Sequence, residues 1–206
     1  MYKWGVPMGV NKIKDQKKNR ALFIKQFLER PGEVASIIPS SDELVSALIA
    51  GVNYKELNLV VEYGPGTGVI TEALRPRLRK EAIYLAAEPN SAFRQHLSES
   101  GLEIELLADY AQNISERVLA NHGQADLVVS GIPCSVIPVE SLRSIFESTH
   151  KILRFGGEFR MFIYTHTFLM PKIHGMLQNL RGQFTSVNTQ AVWLNLPPAT
   201  VIKCIK

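Results

Sequence analysis

Apolar residues along this chain fall into two alternating patterns, and the alternation predicts the fold. Short runs dense in Val, Leu, Ile and Ala occur at Asn58–Tyr63, Ala82–Ala87, Glu103–Leu107, Ala125–Ser130 and Glu158–Thr165. Continuous apolar runs of this length bounded by turn residues read as buried strands. Between them lie segments with helical spacing, at Ser91–Glu99, Ala111–Asn121 and 139–153. In the last of these Leu142, Ile145, Phe146, Thr149, Ile152 and Leu153 share one face, and Gly156-Gly157 is expected to cap its end. Val69–Leu74 opens a further helix that Pro76 must break or kink. Phe184–Trp193 and Thr200–Ile205 read as two final strands, paired antiparallel. Strands separated by helices imply an α/β fold, Rossmann-like, with a seven-stranded, mostly parallel sheet and helices on both faces.

The first forty residues read differently. Residues 1–10, with Gly5, Pro7 and Gly9, look like a loose tail, and Asn11–Glu29 permits a helix that Pro31-Gly32 ends. Ser40, with Glu43 three residues on, offers a capping box for a helix running to about Ala50, where Gly51 stops it. The expected organisation is therefore a tail and basic amphipathic helix over 1–40 and one α/β domain over 41–206.

Composition narrows the class. The chain has 206 residues, 46% hydrophobic and 20% charged, which suits a single globular domain with a sizeable core. No apolar run reaches the ~18 residues needed to span a bilayer, and the first residues lack the apolar stretch of a signal peptide. The expected location is the cytoplasm, peripheral on the inner face of the membrane. Cys134 and Cys204, far apart and outside any metal-ligand spacing, read as two thiols, and no metal is expected. The net charge of +4 equals that of Lys12–Arg20 alone, where five Lys and Arg face one acid, Asp15.

Candidate chemistry concentrates at strand ends. Glu62-Tyr63-Gly64-Pro65-Gly66-Thr67-Gly68 follows the first strand and precedes a helix. Gly64, Gly66 and Gly68 allow a tight turn and a close approach of ligand to main chain. Glu88 ends the second strand, where an acid can accept both ribose hydroxyls of a nucleoside. Asp109 ends the third, where a carboxylate can accept an adenine amino group, with Tyr110 beside it. Either acid alone reads equally well as a helix cap or a solvated loop residue; the three together point to a nucleoside. The loop is not the dinucleotide pattern G-x-G-x-x-G, and a carboxylate at Glu62 suits a cationic ligand rather than a pyrophosphate.

Glu62–Gly68, Glu88, Asp109 and the Leu153-Arg154-Phe155-Gly156-Gly157 turn resemble class I methyltransferases over about residues 58–165. A narrower resemblance spans nearly the whole chain. It is carried by Phe27-Leu28-Glu29-Arg30-Pro31, Ile38-Pro39-Ser40-Ser41, the glycine loop, Ser130-Gly131-Ile132-Pro133 and Trp193-Leu194-Asn195-Leu196-Pro197-Pro198-Ala199. These, in order, are similar to bacterial phospholipid N-methyltransferases. The resemblance implies S-adenosylmethionine as cofactor, S-adenosylhomocysteine as product, and stepwise methylation of phosphatidylethanolamine toward phosphatidylcholine. Related enzymes act on other amine-bearing lipids. Cys134-Ser135-Val136 departs from the pattern, where more aliphatic residues are expected.

Such chemistry needs an amine held in line with the methyl group and shielded from water. Ser130, Gly131 and Pro133, with Ile132 between them, are candidates to present backbone carbonyls to the amine. Tyr164 is a candidate to add a hydroxyl or an aromatic face to a methylated, cationic nitrogen. The same residues also admit plainer readings, as a turn and a core aromatic; His166 is a weaker candidate for accepting the proton and reads more readily as structural, and the sequence leaves open whether Tyr164 or His166 assists proton removal. At residues 11–29, Ala21, Phe23, Ile24, Phe27 and Leu28 form one apolar face beside the basic run. Basic residues at a helix N-terminus oppose the macrodipole, whereas attraction to an anionic membrane surface accounts for them. A helix that merely covers the sheet is the alternative.

Two other functions fit parts of the pattern. An RNA adenine N6-dimethyltransferase shares the loop style, but Ser130 and Cys134 stand where those enzymes carry an Asn and an aromatic residue, and no added RNA-binding domain follows; a nucleic-acid partner is not expected. A non-catalytic S-adenosylmethionine-binding membrane adaptor is the other, against which the intact acid set speaks. The sequence leaves the oligomeric state open.

Overall fold

The computed structural model describes residues 41–206. The amphipathic segment at 11–29, the tail before it and the first sequence motifs lie outside the described residues.

Seven strands form one sheet: β1 (Leu59–Tyr63), β2 (Ile83–Ala87), β3 (Glu105–Leu107), β4 (Ala125–Ser130), β5 (Leu153–Tyr164), β6 (Ser186–Val192) and β7 (Ala199–Ile205). Their order is β3-β2-β1-β4-β5-β7-β6. Pairs from β3 through β5 are parallel, and β7 runs antiparallel to both of its neighbours. The winding reverses between β1 and β4, and the carboxyl ends of these two strands open the crevice where such sheets bind ligands.

Among the described residues there are six α-helices: α1 (Asp42–Ile49), α2 (Val69–Leu74), α3 (Ser91–Ser98), α4 (Ser115–Asn121), α5 (Val139–Ile152) and α6 (Pro171–Gln183). One face of the sheet, with Leu59, Val61 and Tyr63 of β1, is covered by α4, α5 and α6. The other, with Val60, is covered by α1 and α2. Burial on both faces explains why β1 and β4 are Val- and Leu-rich and buried at every position rather than alternating. On α5, Leu142, Ile145, Phe146, Thr149 and Ile152 are all buried, as their spacing predicts. Both cysteines are free and buried.

Several boundaries differ from expectation. The cap of α1 is Ser41, whose hydroxyl accepts the Leu44 amide at 3.2 Å; Glu43 then falls one position too early for a capping box. Gly156-Gly157 does not cap α5, because the chain turns extended at Leu153 and runs straight into β5. The pair makes an irregular start to that strand instead. A Cβ on Gly157 would stand 2.9 Å from the Arg154 carbonyl, and Gly156 and Gly157 exchange backbone hydrogen bonds with Lys206. The helix expected at Ala111–Asn121 is divided into a 3-10 turn, Ala111–Asn113, and α4. No element is expected from the sequence over α6, although Ile173, Met176, Leu177 and Leu180 line its buried face.

Polar contacts fix α1 at both ends. Its last carbonyls, Leu48 and Ala50, accept from the buried Arg160 guanidinium at 3.0 and 2.8 Å. At its start the Ser41 amide donates to Asn195 Oδ1 at 3.2 Å.

Candidate functional site

The carboxyl ends of β1, β2, β3 and β4 are stitched together by backbone. Gly64 donates to the Ala87 carbonyl (2.9 Å), Glu88 to Leu107 (3.0 Å) and Gly131 to Tyr63 (2.8 Å). Glu62–Gly68, Glu88, Asp109 and Ser130–Pro133 therefore share one edge of the sheet, as the strand-end spacing predicts. Asp109 stands two residues beyond the end of β3 rather than on it.

Gly66 has φ +54° and nothing within 4 Å of where a Cβ would stand, so its backbone faces open space. Gly131 is confined: a Cβ there would lie 2.8 Å from the Gly64 carbonyl. The loops after β1 and β4 thus touch main chain to main chain at the point where the winding reverses.

The three acids differ sharply in environment. Glu62 is fully buried on the α2 face; its Oε2 accepts from Thr71 Oγ1 and Tyr84 Oη, each at 2.6 Å. Burial pushes its pKa up to about 7, against the pull of those two hydrogen bonds. Its Oε1 is the one buried side-chain polar atom without a partner among the described residues. An acceptor so placed is costly unless something charged or hydrogen-bonding completes it.

Glu88 lies within the crevice wall, only 6% exposed. Its Oε2 accepts the Gly66 amide at 3.1 Å and its Oε1 the Asn90 amide at 2.9 Å. Burial raises its pKa, opposed by these same amides. Each oxygen keeps a second lone pair for a ligand hydroxyl. Asp109 is more open, and Tyr110 N and Asn113 Nδ2 both donate to its Oδ1 at 2.8 Å. The Tyr110 ring is 59% exposed beside it.

Ser130 is buried on the sheet face of Val128, where its hydroxyl accepts the Ile132 amide at 3.3 Å. The Pro133 carbonyl accepts from Val136 N, and the Ile132 carbonyl from Cys134 Sγ. Lys172 at the start of α6 donates to the Ser135 and Ile137 carbonyls, holding this loop against the helix. Tyr164 ends β5 three residues beyond Met161, the partner of Ser130, or about 10 Å further along the strand. Its side chain packs with the cluster on the opposite face from Ser130, next to Phe162. It also stacks on His166 with ring centres 5.9 Å apart. Burial raises the Tyr164 pKa. The structure thus brings together the glycine loop, Glu88 and the Ser130–Pro133 loop. Tyr164 and its neighbour His166 stand further out on the rim.

Sequence reasoning missed the supporting groups. Tyr84 could have been found as the polar residue in a buried strand, two positions before Ala86, the register partner of Glu62. Asn90 caps α3 through Ala92 and Phe93 and is readable as a cap residue. Lys172 lies in a stretch where no element is expected, and nothing in the pattern singles it out. Among the described residues no cluster of metal-ligating side chains occurs.

No family model matches the chain. It is similar to the curated protein Ornithine lipid N-methyltransferase of Singulisphaera acidiphila, with 27% identity over 192 residues, 91% of this chain and 96% of that one. Its fold is similar to that of the O-methyltransferase TomG from Streptomyces achromogenes, solved in complex with SAM: TM-score 0.65, 14% identity, 91% of this chain and 88% of that one. It is also similar to the N-methyltransferase NodS from Bradyrhizobium japonicum WM9: TM-score 0.57, 13% identity, 73% of this chain and 86% of that one. The solved structures establish the Rossmann-like fold of class I methyltransferases. The curated relative, itself a lipid N-methyltransferase, agrees with the methyltransferase resemblance that the motifs carry.

Proposed function

We propose that this chain transfers a methyl group from S-adenosylmethionine to the amine of a membrane lipid. The observation that carries this reading is the edge that joins an open Gly66 backbone to Glu88 and leaves Glu62 Oε1 without a partner, in a chain similar along 91% of its length to a lipid N-methyltransferase. A nucleoside with a cationic amino-acid tail fits that donor set. Glu88 would accept the ribose hydroxyls on its remaining lone pairs, Asp109 would accept the adenine amino group, and Tyr110 would cover the base. The backbone of Gly64, Gly66 and Gly68 would pass close to the ligand, and the carboxylate of Glu62 would attract its ammonium group. When bound, the sulfonium supplies an activated methyl group.

The chain's own residues then act on the acceptor. Carbonyls of Ser130 and Gly131, with Pro133 fixing the turn, orient the amine N–H bonds toward the crevice. Tyr164, on the rim, offers its ring or hydroxyl to the nitrogen as positive charge develops there. A nitrogen–carbon bond forms as the sulfur–carbon bond breaks, and the amine proton departs to water at the rim. Phosphatidylethanolamine is the acceptor that the sequence motifs suggest, and an ornithine lipid the one suggested by the relative's name; both offer an amine on a membrane lipid. The basic segment 11–29 is proposed to draw the protein to an anionic membrane surface. No helix among the described residues is long and apolar enough to cross a membrane.

The test is incubation of the full chain with methyl-labelled S-adenosylmethionine and, in separate reactions, phosphatidylethanolamine, ornithine lipid and RNA. Label in a lipid supports the reading and selects the head group; label in RNA alone overturns it.

A further inference from the structure

Eight of the eleven large apolar side chains exposed among the described residues lie at the carboxyl end of the sheet, the end that holds the candidate site. Leu169 (88% exposed) follows β5; Trp193 (71%), Leu194 (82%) and Leu196 (86%) follow β6. Val136 and Met170 extend the same edge. Scattered exposed apolar residues are ordinary, but a run concentrated on one end marks an interaction surface. The loop carrying three of them is held in shape. Asn195, at its middle, is buried, accepts from Ser41 N and donates to the Pro197 carbonyl, and the Thr165 amide donates to the Pro198 carbonyl at 2.8 Å. Its flanking leucines and Trp193 therefore point outward from a fixed frame.

We propose that this rim is the surface on which the protein seats on an anionic lipid bilayer, with Trp193, Leu194, Leu196 and Leu169 entering the headgroup boundary. Charge selects a lipid surface as the occupant. The loops 131–138, 165–170 and 193–198, which form this rim, carry no Asp or Glu, so nothing on it repels an anionic headgroup. The chain also enters the domain at this loop, through the Ser41–Asn195 bond, and the forty residues before it hold eight Lys and Arg against three acids. An acid-free apolar edge with a tryptophan, in a chain whose first forty residues are rich in Lys and Arg, has the chemistry of the membrane interface. The inference rests on the lipid reading for its purpose: an amine at the bilayer surface would reach the Ser130–Pro133 loop without leaving its membrane.

Trp193 is itself the reporter, since Trp4 is the only other tryptophan. The full chain with Trp4→Phe is mixed with vesicles of phosphatidylglycerol and phosphatidylcholine. Trp193 emission should shift to the blue and be quenched by brominated acyl chains. Trp193→Ser with Leu196→Ser, in the parent chain, should weaken vesicle co-sedimentation roughly tenfold or more, in keeping with the apolar area withdrawn from the bilayer. Melting temperature and S-adenosylmethionine affinity should stay unchanged. Absent blue shift and quenching, or equal sedimentation of the variant, overturns the proposal. So does a fall in its melting temperature, which would mean that these side chains pack against the protein itself. The vesicles carry no primary amine, so docking and methyl transfer are read separately. Docking without transfer to any lipid overturns the lipid reading alone; transfer to a micellar lipid without docking overturns the rim alone.

Discussion

Glu88 Oε2 accepts the Gly66 amide at 3.1 Å, so the carboxylate that ends β2 grips the glycine loop that follows β1. The residue proposed to hold the ribose also shapes the loop that the ligand approaches. Glu88→Ala should weaken S-adenosylmethionine binding roughly tenfold to a hundredfold, the scale of hydrogen bonds to a charged group. It should also lower stability by about 1–3 kcal/mol, because the Gly66 and Asn90 amides lose their acceptor. Glu88→Gln, which keeps one acceptor oxygen, should recover part of the stability and less of the affinity. Calorimetry and thermal melts on both variants separate the two roles.

Glu62 ties stability to pH. Its folded pKa, about 7, lies above the ordinary carboxylate value of 4.5, with burial as the main cause. Below the ordinary value both folded and unfolded forms are protonated and burial carries no penalty. As pH rises from there toward 7 the unfolded chain ionises first, and the folded state loses about 3 kcal/mol in relative terms. Glu62→Gln should therefore be more stable than the parent at pH 8, with the difference vanishing by about pH 4. Its S-adenosylmethionine affinity should be low and flat with pH, where the parent's affinity rises through about 7 as the carboxylate ionises. Melts and binding isotherms across that range check both.

Asp109 and Tyr110 are proposed to hold the adenine. Tyr110→Ala removes an exposed ring and should leave the melting temperature unchanged while lowering S-adenosylmethionine affinity several-fold, on the scale of about 1 kcal/mol for an aromatic stacking contact. Unchanged affinity would return Tyr110 to a surface role.

Tyr164→Phe should lower turnover with little change in cofactor affinity, since the residue sits on the rim rather than at the glycine loop. Single-turnover rates beside calorimetry read the split. Equal rates would return Tyr164 to packing against Phe162 and His166.

Much of this is legible in the sequence because buried strands announce themselves. β1 and β4 are buried on both faces, and their carboxyl ends carry Glu62 and Ser130, so the edge that holds the candidate site follows from the order of residues alone. The expected antiparallel pairing of the last two strands also holds. What is not legible comes from tertiary contacts. Gly156-Gly157 has the composition of a helix stop, yet it serves the packing of β5 against the chain end. The depth of Glu62 depends on Tyr84 and Thr71 closing over it from β2 and α2. The rim position of Tyr164 depends on β5 outrunning β4, a matter of register that composition does not reveal.

The central claim is methyl transfer to a lipid amine, and mass spectrometry of the acceptor tests it most directly. The full chain is incubated with S-adenosylmethionine and micellar phosphatidylethanolamine or ornithine lipid, and the lipid is fragmented to locate any added methyl group. The account predicts methyl groups on the head-group nitrogen, S-adenosylhomocysteine in matching amount, and strongly reduced product with Glu88→Ala. Unmodified lipid in both reactions, from a protein that calorimetry shows to bind S-adenosylmethionine, would contradict it.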